Sequence, residues 1–388
     1  MRKLRKKSVL LYMGLAAAMA LVNMIAWNST AFCDAYIQYI FPIWVNTYGR
    51  VTGLFPFSVG EILLVLGVCS VAATIILVFV NGILQLYGSC RKRGTGKTEG
   101  CVSFSRLTRG YLRGFAWLLM AVCVIMTLNC TILYHASTFS EQYYGKEKEY
   151  YTLEELQRVR NYVVERCNAL ALEMERDEQG TILYAENIGD KAVKVMQKLG
   201  ETYDRLDGYY PNPKPLAASD FFSQQYMAGY YFPFSMEANY NDVMYIMNKP
   251  ATMCHELAHL RGYIYEDEAN FISYLACIRS GDKVFEYSGY LSVLYYLDND
   301  FYDAVGADKD LYWEQPVITK QVHEDNIFLT DEEWERINEK ALIDTETVDE
   351  ISDTFTETVL VANGVSDGMI SYSRVVRLLL QYYENAGL

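Results

Sequence analysis

Charged side chains are missing from three long stretches of this 388-residue chain. Residues 8–27 read SVLLYMGLAAAMALVNMIAW, residues 62–80 ILLVLGVCSVAATIILVFV and residues 115–133 FAWLLMAVCVIMTLNCTIL. Each run is about as long as the roughly 20 apolar residues that cross a ~30 Å hydrocarbon layer, so three spanning helices are expected. The same absence counts against a transporter, whose pathway would be marked by ionisable groups inside the spans. Internal repeats and low-complexity tracts are also missing, which excludes a solenoid. The nine cysteines have no metal-type spacing. Four of them, Cys33, Cys167, Cys254 and Cys277, are expected outside the membrane, where a disulfide among them is left open.

Basic residues are unevenly distributed. Arg2, Lys3, Arg5, Lys6 and Lys7 precede the first run, and seven more lie between the second and third, whereas only Arg50 lies between the first and second. Lys and Arg in short loops stay on the cytoplasmic side, so the amino terminus is expected inside and everything beyond about His135 outside. A cleaved signal peptide is the rival reading of the first run, which is too long for one, and Phe32 before Cys33 is too bulky for a lipoprotein cleavage site. Residues 1–135 hold 13 basic and 3 acidic side chains; the rest hold 21 and 45, a net charge near −24. That charge argues against nucleic acid or an anionic surface as the outer domain's partner.

Capping and periodicity predict helices over 150–176, opened by Thr152 with Glu155, then over 190–199, 251–261, 265–279, 287–297, 331–341 and 371–383. Thr330 with Glu333 opens the helix at 331. The proline-punctuated stretch 209–215 reads as a loop, and the Tyr-rich stretches 225–232 and 236–241 as strands of a small sheet. Asn248 is the expected cap of the 251–261 helix, Pro250 sits in its first turn, and Gly262 stops it.

That helix carries His255-Glu256-Leu257-Ala258-His259. Residues four apart leave the same helical face, so both imidazoles can converge on one zinc ion. Glu256, beside the first of them, is placed to take a proton from an attacking water and to return it to a leaving amine. A helix with two surface histidines and a glutamate would carry the same letters, but pairing half the chain's four histidines around a Glu on a capped helix is hard to attribute to composition. A third ligand is expected in Glu266-Asp267-Glu268-Ala269-Asn270. Glu266 and Glu268 differ by about 200° around a helix, so at most one faces the metal. Glu266 is preferred, because Asn270 one turn on can hydrogen-bond a ligand histidine. Glu268 is the alternative; Asp267 reads as a solvated charge. His135, His323, Tyr290, Tyr372 and Arg374 are weaker candidates to steady a tetrahedral intermediate, each with a plainer structural role.

Taken in order, Gly229-Tyr230-Tyr231-Phe232-Pro233-Phe234, Glu237-Ala238-Asn239, the His255–His259 motif, Gly262 and Glu266-Asp267-Glu268-Ala269-Asn270-Phe271 resemble the domain-of-unknown-function 3810 family of bacterial membrane proteins. Tyr287-Ser288-Gly289-Tyr290, Asn363-Gly364-Val365-Ser366-Asp367-Gly368 and Ser371-Tyr372-Ser373-Arg374-Val375-Val376 extend the resemblance over nearly the whole chain. It implies a zincin-like protein behind membrane spans and brings no established substrate. Glu-x-x-Ala-Asn also resembles the second motif of glutamate-type zincins, which usually leave far more chain between the motifs than the six residues present. The stretch at Glu237 either lines the cleft or ends a strand.

The expected architecture is mainly α with a small β-sheet. Residues 1–135 form three transmembrane helices with a basic cytoplasmic loop at 90–113, and 136–388 a zincin-like α+β domain outside the cytoplasm of a bacterial cell. The expected activity is Zn²⁺-dependent peptide-bond hydrolysis, with the bilayer and a peptide or protein substrate as partners and no nucleic acid. A non-catalytic zinc-binding sensor or scaffold is the alternative, and it gives Glu256 nothing to do.

Overall fold

A computed structural model describes residues 2–91, 99–145, 148, 150–306, 308–341, 343–362 and 373–387. The molecule is mainly helical with a small three-stranded sheet. Three helices are long and apolar enough to cross a membrane: Lys7–Asn28, Val59–Leu86 and Phe104–His135. They enclose the three charge-free runs. The α-helix of the third ends at Met126, continues as a wider π-type turn over Thr127–Thr131, and closes with a 3₁₀ turn at Leu133–His135.

The predicted helices form, with shifted ends. Thr152 and Glu155 cap Leu153–Glu173 reciprocally, and Thr330 caps Asp331–Lys340. The helix expected at 287–297 runs over Lys283–Ala304, because the Asp282 carboxylate accepts the Val284 and Phe285 N–H groups and starts it earlier. Helix Thr345–Ala362 was not anticipated. The last helix spans Ser373–Ala386; the motif residues 363–372, Tyr372 among them, lie outside the described residues.

The sheet has the order β1-β3-β2, with β1 at Lys214–Pro215, β2 at Gly229–Phe232 and β3 at Glu237–Tyr240. β2 runs antiparallel to β3, pairing Gly229 with Tyr240 and Phe232 with Glu237, while β1 pairs parallel to β3. Two expectations are corrected here. Residues 225–228 are a turn rather than strand, with Tyr226 at φ +50°, and the supposed loop at 209–215 supplies β1. The pairing of β1 is secured by Lys214, whose buried ammonium pairs with the buried Glu237 carboxylate and donates to the Thr52 and Phe57 carbonyls.

The segment between the first two spans joins the same core. Cys33, Tyr36, Ile37, Phe41 and Val45 pack in one apolar cluster with Leu257, Leu260 and Phe271. One end each of the second and third spans is fastened to the sheet. Glu237 accepts the Val59 and Gly60 N–H groups, at 3.2 and 2.7 Å, where the second spanning helix starts; Asn129 of the third donates to the Pro233 carbonyl at 2.9 Å. Glu237 thus caps a membrane helix rather than lining a cleft. Cys33, Cys167, Cys254 and Cys277 are buried, unbridged thiols.

Candidate metal centre

The motif helix spans Lys249–His259. Asn248 does not cap it: its backbone is helical and its side-chain amide donates to the Ile327 carbonyl, so the helix receives Ser288 Oγ at the Ala251 N–H instead. Pro250 occupies the first turn, where no N–H is needed. At the other end Gly262 takes φ +85°, a left-handed conformation that glycine adopts without a Cβ penalty, and its N–H closes on the His259 carbonyl. Arg205 locks this reversal, donating to the Arg261, Gly262 and Ser137 carbonyls while its guanidinium lies over the Tyr263 ring. The chain then turns directly into the carboxylate helix, Glu266–Ile278, which packs against the motif helix.

The reversal brings Glu266 to the imidazoles. His255 Nε2 and His259 Nε2 are 3.1 Å apart, and Glu266 lies 3.0 Å from the first and 3.8 Å from the second. The other ring nitrogens are engaged: His255 Nδ1 meets Asn270 Oδ1 at 2.8 Å, and His259 Nδ1 meets the Tyr263 carbonyl at 2.7 Å. Oxygens of that kind only accept, so the Nδ1 atoms carry the protons and both Nε2 lone pairs face inward. Two lone pairs and a carboxylate cannot crowd together without a positive charge between them.

Electrostatics supplies that charge as a proton. Burial disfavours His255 imidazolium, but the Glu266 hydrogen bond and charge outweigh it and raise its pKa to about 9. Burial likewise works against the Glu266 anion, yet the histidines hold it down at about 2. His259 is pushed by burial to about 4 and stays neutral. A dication can replace the His255 proton. Tetrahedral zinc with ligands at ~2.0–2.1 Å spaces its donor atoms about 3.3 Å apart, and the observed separations bracket that value. The residues fit the ion.

Glu256 completes the group. Ligand atoms of His255, Glu256 and His259 all lie within 4.8 Å of one another. Burial raises the Glu256 pKa to about 8, opposed by His255 and by a hydrogen bond from the Tyr231 backbone N–H. Its Oε2 is buried and has no protein partner. β2 comes unusually near: a Cβ on Gly229 would lie 2.8 Å from Glu256 Cγ and 2.8 Å from Thr252 Cγ2. The Tyr231 ring sits 5.8 Å from that of His259.

The other candidates are elsewhere. Glu268 is buried and accepts the Phe139 N–H and Ser140 Oγ, holding the short helix Phe139–Tyr143 that follows the third span. Asp267 is buried rather than solvated, its pKa raised by burial to about 6 against the charge of Arg374. Tyr290 is buried against Tyr162 and Tyr274. His323 bonds Tyr295, and His135 packs on Trp27 with ring centroids 4.4 Å apart. Sequence reasoning gave Tyr263 no role, since it acts through its carbonyl, and placed Gly229 only within a motif, since its role is the room it leaves.

No curated protein and no solved structure matches the chain. With His255, Glu256, His259, Glu266 and Asn270 gathered at one centre behind three apolar helices, and a family match running over residues 36–380, the chain belongs to the family described as protein of unknown function (DUF3810).

Proposed function

We propose that the protein is a zinc metallopeptidase of the bacterial cell membrane, with its amino terminus in the cytoplasm and the zincin-like metal centre outside it. The observation that carries this reading is the convergence of two imidazole lone pairs and the Glu266 carboxylate, with both opposite ring nitrogens held by carbonyl acceptors. His255, His259 and Glu266 would hold the ion, and Asn270 and the Tyr263 carbonyl orient the imidazoles. When bound, zinc polarises a carbonyl and makes water acidic near neutral pH.

The protein's own residues supply the proton traffic. Glu256 has a buried oxygen without a protein partner, so it can accept a proton there. A carboxylate placed beside the metal ligands can both accept and return a proton. Peptide-bond hydrolysis needs both: removal from the attacking water and delivery to the leaving nitrogen. A zinc site kept only for structure or sensing needs no such base.

The full chain, purified in detergent as wild type, Glu256→Gln and Glu266→Ala, tests this through bound zinc and cleavage of a mixed peptide library. The expected result is one zinc per chain in wild type and in Glu256→Gln. Cleavage should fall by about 10²–10⁴-fold in Glu256→Gln, the usual contribution of a general base, and Glu266→Ala should lose metal. Zinc-loaded wild type that cuts nothing in the library would overturn the peptidase reading.

A further inference from the structure

Between Asp34 and Glu61 the chain has a single charged residue, Arg50. This stretch connects the first two spans as a helix at Thr30–Tyr39, a turn at Phe41–Trp44, a π-type turn at Val45–Gly49 and a further turn at Arg50–Thr52. One face of it is core: Tyr36, Ile37, Phe41 and Val45 are buried. The opposite face is exposed and largely apolar, and its Asn46 and Thr47 side chains donate back to the Pro42 and Ile43 carbonyls. Tyr39, Ile43, Trp44, Tyr48, Val51 and Leu54 follow one another at near-helical spacing, Leu54 being 81 % exposed. The Trp44 indole N–H is already satisfied by Tyr36 Oη at 3.0 Å, so its ring can enter an apolar medium at no further polar cost. Arg50 turns its guanidinium back over the Tyr209 ring, 3.9 Å from the centroid.

A helical surface apolar on both sides, rich in Trp and Tyr, has two neighbours. Protein covers one side, and the chain at both ends of the segment enters membrane-crossing helices. Its exposed face thus adjoins the ends of two candidate spans, and exposed Trp and Tyr favour the zone where bilayer meets water.

The same segment underlies the turn that ends the motif helix. Ile37 packs on Gly262, the stop of the motif helix, where a Cβ would come within 3.0 Å of it. Thr52 Oγ1 donates to the Ser235 carbonyl at 2.8 Å in the turn between β2 and β3. Tyr265, the residue before Glu266, donates its hydroxyl to the Tyr134 carbonyl at 2.7 Å, at the outer end of the third span. An open surface depression of about 760 Å³ lies between Trp27, His135 and Tyr265.

We propose that the exposed face of residues 39–57 lies in the lipid headgroup boundary and seats the metal centre at the bilayer surface. The substrate is then the membrane-proximal segment of a protein anchored in the same bilayer. The substrate part rests on the peptidase reading above; the lipid contact does not.

Two readouts from the full chain in phospholipid vesicles separate them. The first is quenching of the Trp44 component of fluorescence, wild type minus Trp44→Phe, by lipids brominated along the acyl chain. Quenching by bromines near the headgroup end is expected; a Trp44 component reached only by aqueous iodide would overturn the lipid contact. The second is cleavage of single-span fusion proteins whose cleavable stretch begins about 3, 10, 20 or 30 residues from the lipid, set against the free peptide, with Glu256→Gln as the blank. Cleavage nearest the bilayer should exceed the most distant and the free peptide by about tenfold or more, a gain of the size confinement brings. Equal cleavage at all distances would overturn the substrate assignment while leaving the peptidase standing. Zinc-loaded protein cutting none of them would remove both, with the Trp44 signal still deciding the lipid contact.

Discussion

On the zinc reading proposed above, the His255 proton and a metal ion compete for one place. Below its pKa of about 9 the imidazole must release a proton before it can ligate, whereas His259, at about 4, is already free. Zinc affinity should therefore rise with pH, by at least about tenfold per unit from about 6 towards neutrality, because at least the His255 proton leaves for each ion bound. A competition titration across that range reads the slope; affinity independent of pH would show that no His255 proton is displaced. Gly229 gives a second prediction at this scale. In Gly229→Ala the new Cβ meets Glu256 and Thr252, so the carboxylate must move while the ligand set is untouched. Cleavage should fall by about tenfold or more, since small misplacements of catalytic groups are costly, with zinc content unchanged; unaltered cleavage would show that Glu256 has room to spare. Much of this centre was legible as spacing. The angle between positions 266 and 268 allowed only one of the two carboxylates to face the histidines, and Asn270, one helical turn from Glu266 and beside His255, favoured Glu266. A backbone carbonyl such as that of Tyr263, or room left by a missing side chain, has no signature in side-chain letters.

At the level of elements, helix starts were legible wherever a side chain signals them, as at Thr152 and Thr330. They were misread where a tertiary contact replaces the local signal: Ser288, from a helix 37 residues on, serves the motif helix in place of Asn248. The two-residue strand at Lys214–Pro215 is too short to carry a period and exists because Lys214 reaches Glu237. That buried pair carries a prediction. Glu237→Gln removes the anion, leaves the Lys214 ammonium buried without a counter-charge, and weakens the cap of the second spanning helix. Breaking one side of a buried pair costs about 3–5 kcal/mol, so the unfolding midpoint in detergent should drop clearly. A midpoint equal to wild type would mean the pair contributes nothing to holding sheet and membrane helix together.

Across the whole molecule, the spans were legible because a run without charge has few alternatives, and each run falls inside a helix long enough to cross a bilayer. The segment between the first two was not, since Pro42, Gly53 and Pro56 break it into pieces too short for a clear period and both its faces are apolar. Its packing under the motif helix is long-range, as Ile37 on Gly262 illustrates, and only the folded chain shows it. That packing also means the centre has to be studied with its membrane part, because core residues from Cys33 to Val45 precede the second span. The central claim is that two imidazoles and a carboxylate hold zinc, and zinc-edge X-ray absorption on the full chain in lipid tests it most directly. The account predicts one ion per chain with nitrogen and oxygen neighbours at about 2.0–2.2 Å, of which two are imidazoles. Metal-free protein, or an ion ringed by sulfur at about 2.3 Å, would contradict it.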